Sequence, residues 1–184
     1  KLVTGVQTCA LPISGREEKV KLKLPRGMKY RIDREHTLSE LLLNGKIDAI
    51  LSARQPNSYG KGVLRLFPDY QKEEEAYYKR TGIYPIMHVI CLKTEVAKKY
   101  PWLAMNVYNA FEEAKQRSYE RMSEIGVSRA PVPWLTNYTD RVRALFGEDY
   151  LPYGLAPNRP TLQAFVDWAY EQGVCHRRVA VEEL

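Results

Sequence analysis

Residues 37–52 constrain the fold most. Thr37-Leu-Ser-Glu40 has the spacing of a capping box. A threonine hydroxyl there accepts from the amide three residues on, while the glutamate reaches back to the threonine amide. The helix so started runs into Asn44-Gly45, and glycine tolerates the left-handed backbone that closes a helix. Ile47-Asp-Ala-Ile-Leu-Ser52 follows at once, a short β-leaning run with an apolar core. Helix, glycine turn and buried strand in succession make an α/β unit. The fold class expected is therefore α/β, with a helix-rich C-terminal half.

Similar punctuation organises the rest. K-V-K-L-K-L at 19–24 alternates, so Val20, Leu22 and Leu24 would share one face of a half-buried strand that Pro25 and Gly27 end. Asp69 is placed to cap a helix running to Arg80 and closed by Gly82, with Glu75 and Lys79 as an i,i+4 pair. Y-P-I-M-H-V-I-C-L at 84–92 predicts a second buried strand. Thr94 is read as the cap of a short helix ending at Tyr100-Pro101, and Pro101 suits the first turn of the longest helix, to about Ile125. On that helix Leu103, Val107, Ala110, Phe111 and Ala114 form one stripe, expected to pack in a core. Further helices are expected over 139–146 and 160–172, closed by Gly147 and Gly173. There is neither an internal repeat nor a low-complexity segment. Helices in this number call for a sheet to pack on.

At 184 residues the chain can bury the core of one domain, or of one domain and part of a second. Hydrophobic residues at 45% and charged residues at 27% exclude disorder, collagen and coiled coil. No apolar stretch is long enough to cross a bilayer. The formal charge of +6 comes largely from Arg16 to Arg31, where seven Lys/Arg face two acids, Glu17 and Glu18. One basic stretch with balanced charge elsewhere reads as a solvated face, not a nucleic-acid surface. The same field attracts a small anion. Cys9, Cys91 and Cys175 are far apart, odd in number and without metal-ligand spacing. They point to a reducing compartment.

The first residues are of another kind. VTGVQTCALPI at 3–13 resembles the translation of a sequencing adapter, and residues 1–14 are read as a non-native segment. Cys9 then carries no biology. The expectation is a C-terminal part of a longer protein whose natural start lies upstream.

Candidate functional residues cluster around the two predicted strands. Arg54 follows the first strand, where the clefts of open α/β sheets lie, and guanidinium binds carboxylate in a two-pronged geometry that lysine cannot match. Ser58 and Tyr59 share its loop and could donate to ligand oxygens. His88 stands alone within an apolar run, and imidazole is a side chain suited to proton transfer. Arg80 and Tyr84 flank the same run as cleft-wall candidates. His36 and His176 lie in polar surroundings and read as surface. No phosphate loop, GxGxxG or nucleophile elbow is present, and no H-x-x-x-H or paired-cysteine pattern marks a metal site. No cofactor is expected; a divalent metal held partly by residues outside this chain stays open.

The runs LSELLLNGKIDAILSAR (38–54), RLFPDY (65–70), YYKRTGIYPIMHV (77–89), PWLAMNVYNAFEEAK (101–115) and YGLAPNRPTLQAFVDWAYEQG (153–173) resemble the 4,5-dihydroxyphthalate decarboxylase family. That family is similar in fold to type 2 periplasmic binding proteins. The resemblance implies two α/β lobes joined by crossover strands, with the ligand between them. Residues 15–85 would end the second lobe and carry the ligand-facing loop. Residues 86–184 would supply the return crossover, near 86–92, and the helices completing the first lobe. It further implies a small anionic aromatic substrate, no organic cofactor and a cytoplasmic enzyme, with homo-oligomers compatible. Arg54 would then orient the carboxylates and His88 move the proton. The rival implication is a non-catalytic, periplasmic solute-binding protein serving a transporter.

Overall fold

A computed structural model describes residues 23, 26–27, 33, 35–52, 55–124, 126 and 131–184. Two compact units make up the chain, residues Lys1–Ala76 with Gln163–Leu184, and Tyr77–Leu162. In order along the chain come α1 (Leu38–Leu43), α2 (Tyr70–Thr81), α3 (Thr94–Lys99), α4 (Leu103–Ser123), α5 (Leu135–Phe146) and α6 (Leu155–Glu171), then a 3-10 turn at Val181–Glu183.

In the first unit the capping box forms as its spacing demands. The Glu40 amide donates to the Thr37 hydroxyl at 3.2 Å, and the Thr37 amide donates to the Glu40 carboxylate at 2.7 Å. Asn44 caps the other end, and Gly45 takes φ 64°. Leu38, Leu41 and Ile47 bury their side chains together, with Leu42 and Ile50 against them. Val63, Val166 and Val181 are also buried in this unit.

In the second unit α4 and α5 pack against each other. Among the described residues there, Lys115, Tyr119 and Thr139 are buried, two of them polar. α5 ends at Gly147, whose amide donates to the Arg143 carbonyl at 2.8 Å and whose φ is 91°.

The expected sheet is absent among the described residues. Residues 47–52 form no ladder; Ile47 is buried, but Leu51 is 69% exposed. Residues 84–92 are likewise without ladder partners, and Met87 and Val89 are 76% and 73% exposed. The run at 19–24 lies almost wholly outside the described residues. A lone extended run cannot hold itself as a strand, because its amides and carbonyls need a neighbour. For the same reason the apolar stripe of α4 is not the core that its spacing predicts. Leu103 and Val107 are half-buried, whereas Ala110, Phe111 and Ala114 are exposed.

Candidate functional site

The loop over 55–63 is shaped by its own backbone. The Tyr59 amide donates to the Pro56 carbonyl at 3.0 Å, and the Gly60 amide to the Val63 carbonyl at 2.9 Å. Gly62 closes it at φ 93°, and a Cβ there would meet the Leu43 side chain at 3.4 Å. Glycine is the residue for that combination of left-handed backbone and close approach.

Within this loop the two sequence candidates part ways. Ser58 is buried, its amide donating to the Ser39 hydroxyl at 3.0 Å, and the two hydroxyls lie 2.6 Å apart. Its oxygen is therefore committed to fastening the loop onto α1. Tyr59 next to it is exposed. Arg54 lies outside the described residues.

The other three candidates belong to the second unit. Arg80, near the end of α2, stands over the Tyr77 ring at 5.6 Å, a cation–π contact that leaves the guanidinium in water. Tyr84 is half-exposed, with its ring edge against Phe146 at 5.1 Å, while Tyr78 meets Phe146 from α2 at 4.4 Å. The chain between them is held by two threonine hydroxyls. Thr81 donates to the Tyr77 carbonyl at 2.8 Å and accepts from the Ile83 amide at 3.1 Å. Thr161 of α6 accepts from the Tyr84 amide at 3.2 Å. Four residues on, His88 is exposed, not enclosed in the apolar strand that its neighbours predict.

A polar cluster that the sequence reading did not single out lies on α4. Lys115 is only 5% exposed at its side chain; its ammonium donates to Asp149 at 2.8 and 3.0 Å and pairs with Glu112 at 2.7 Å. It also stands 4.6 Å from the centre of the Tyr153 ring. Tyr119, one turn along, donates to Asp149 at 3.3 Å, accepts from the Leu151 amide at 2.9 Å and stacks on Tyr150 at 4.1 Å. Burial lowers the lysine's affinity for its proton, but the hydrogen bonds and charges of Asp149 and Glu112 outweigh it and raise the pKa above the usual lysine value. Burial pushes the Tyr119 hydroxyl up as well, against the lowering effect of the Leu151 amide.

This lysine is charged and already met by two carboxylates, so it is a fastening between α4 and the α5–α6 connection rather than a ligand group. A signal for it exists in the sequence: Lys115 follows Phe111 by four residues and so continues the apolar stripe. A cation in that register asks for an acidic partner.

No group of three His, Cys, Asp or Glu side chains is arranged to hold a metal among the described residues. Nor, among them, is any helix long and apolar enough to cross a membrane.

No family model matches the chain. It is 32% identical over 173 residues to a protein of Comamonas testosteroni named 4,5-dihydroxyphthalate decarboxylase, a match covering 92% of this chain and 52% of that protein. The chain spans about half the length of this curated relative, and over that span it is similar to a decarboxylase.

Proposed function

We propose that this chain is part of a non-oxidative aromatic decarboxylase that converts a dihydroxyphthalate, 4,5-dihydroxyphthalate in the first instance, to 3,4-dihydroxybenzoate and carbon dioxide. The observation that carries the proposal is the 32% identity to the decarboxylase across 92% of the chain. Identity spread over that length concerns the chain at large, not one short motif.

The substrate sets the chemistry. Two adjacent carboxylates need a cation, and Arg54 is the residue assigned to them, with the exposed Tyr59 assigned to donate to the ligand oxygens. Ser58 serves indirectly by fixing that loop to Ser39. The hydroxyl para to the departing carboxylate pushes electron density onto the carbon that bears it. His88 gives that carbon its proton; the C–C bond breaks, carbon dioxide leaves and the ring regains aromaticity. Arg80 and Tyr84, on the approach to His88, are assigned to the wall that the dianion meets. No residue of this scheme needs a redox partner, since a proton replaces carbon dioxide.

The test uses the natural gene product that contains this chain, incubated with 4,5-dihydroxyphthalate. The expected result is stoichiometric 3,4-dihydroxybenzoate and carbon dioxide, with a loss of about 10²-fold or more in His88→Ala, the usual contribution of general acid catalysis. Saturable binding without turnover would replace the enzyme by a solute-binding protein. Full turnover in His88→Ala would take the histidine out of the mechanism.

A further inference from the structure

Among the described residues, side-chain hydrogen bonds anchor the segment that carries His88 at its start. Two successive amides, Ile83 and Tyr84, donate to two threonine hydroxyls, Thr81 at 3.1 Å and Thr161 at 3.2 Å. Thr81 belongs to the last turn of α2, and its hydroxyl also ties back to the Tyr77 carbonyl. Thr161 comes from α6, seventy-seven residues away in sequence from the amide that it holds. Between these anchors the Phe146 ring at the end of α5 is gripped by Tyr78 and Tyr84, at 4.4 and 5.1 Å. The end of α2, the end of α5 and the middle of α6 thus converge on the point where the chain leaves α2. Beyond that point the apolar side chains Met87, Val89 and Ile90 are exposed and offer no comparable hold.

We propose that Thr161, with Phe146, is a positioning residue that fixes the register of the 83–88 segment and so places His88 for proton transfer. The proposal rests on the decarboxylase reading above. Thr161 acts through Tyr84 and not on the substrate. Losing it moves the proton donor and alters no residue assigned to binding the carboxylates. The loss therefore falls on kcat, with KM nearly unchanged, the pattern of an interaction used in the transition state rather than in binding. A misplacement of an ångström or less is enough for a large effect, because proton transfer depends steeply on geometry.

The experiment compares Thr161→Val, Thr161→Ser and Phe146→Leu in the full natural gene product. Turnover of 4,5-dihydroxyphthalate is measured together with hydrogen exchange of the peptide containing Tyr84. Thr161→Val is expected to lower kcat about tenfold with KM within about twofold, and to speed exchange at Tyr84. Thr161→Ser restores both, because the hydroxyl returns. Phe146→Leu, which keeps apolar volume and loses the ring contacts, falls between them. Equal melting of the valine and serine variants separates this effect from misfolding. Unchanged kcat and unchanged exchange in Thr161→Val would overturn the proposal, as would a serine variant no better than the valine one. A parent protein without turnover would overturn the decarboxylase reading and the catalytic use of the anchor. Exchange at Tyr84 would then still decide whether Thr161 holds the segment.

Discussion

Replacing Lys115 by methionine removes a charge while keeping the length of the side chain over Tyr153. Breaking a fully buried ion pair costs about 3–5 kcal/mol, because the surviving charge is left in the interior. Here the survivors are not interior: Asp149 is 43% and Glu112 30% exposed at the side chain, so water reaches both once the ammonium is gone. What remains is the loss of charge-assisted hydrogen bonds, about 1.5–3 kcal/mol. We therefore expect a destabilisation of about 2 kcal/mol in urea unfolding followed by tyrosine near-UV circular dichroism, which reads the Tyr119–Tyr150 stack. Thermal midpoints should fall by roughly 10 °C, at 4–8 °C per kcal/mol for a small unit. Asp149→Asn should cost less, since Glu112 stays 2.7 Å from the ammonium. The pH dependence follows from the same groups. The pKa values of Lys115 and Tyr119 are both raised, from 10.5 and 10.0, so the folded chain holds these protons more tightly than the unfolded chain does. Their stabilisation is complete below about pH 10 and is lost as pH rises through the folded values. The urea midpoint should thus fall above about pH 10, and less steeply in Lys115→Met. A Lys115→Met variant within about 0.5 kcal/mol of the parent, with the same alkaline slope, would refute this reasoning.

Two further substitutions test the first unit. Ser58→Ala takes away the hydroxyl 2.6 Å from that of Ser39, which keeps the Ser58 amide as a donor, and should cost about 1 kcal/mol, with the Ser39→Ala/Ser58→Ala double variant costing less than the sum of the singles in denaturation. Thr37→Ala removes the cap of α1 and should cost about 1 kcal/mol, with faster exchange at the Glu40 amide that the threonine hydroxyl now holds.

Helix boundaries were legible wherever a local device sets them. The capping box at Thr37 and the closing glycines Gly82, Gly147 and Gly173, at φ 65°, 91° and 73°, stand where the spacing puts them. The device misleads when the same residue type has another use. Thr139 has the look of a helix start, yet its hydroxyl donates to the Leu135 carbonyl at 3.0 Å, the back-bonding of a threonine inside a helix, and α5 begins at Leu135. Pro160 resembles a first-turn proline but lies within α6. That helix starts at Leu155, where the Asn158 side chain donates to the Pro152 and Gly154 carbonyls at 2.7 and 2.8 Å. Thr94 is the first helical residue of α3, and Lys93 is its cap.

The strands were not legible in the same way. Apolar runs such as 84–92 state a preference for burial, while a ladder needs a second chain segment that no local pattern encodes. The site divides similarly. Residue type put forward Arg54, Ser58, Tyr59, Arg80, Tyr84 and His88 as candidates, while the inward turn of Ser58 toward Ser39 depends on a contact nineteen residues away. The pairing of Lys115 with Asp149 spans thirty-four residues and was equally out of reach of spacing arguments.

The most direct measurement for the central claim is turnover of 4,5-dihydroxyphthalate in heavy water by the natural gene product that contains this chain, with the product read by mass spectrometry and proton NMR. Decarboxylation with proton replacement predicts 3,4-dihydroxybenzoate carrying a single deuterium at C6, the carbon that lost its carboxylate, and an equivalent of carbon dioxide. Unaltered substrate, bound saturably and recovered without deuterium, would contradict the account.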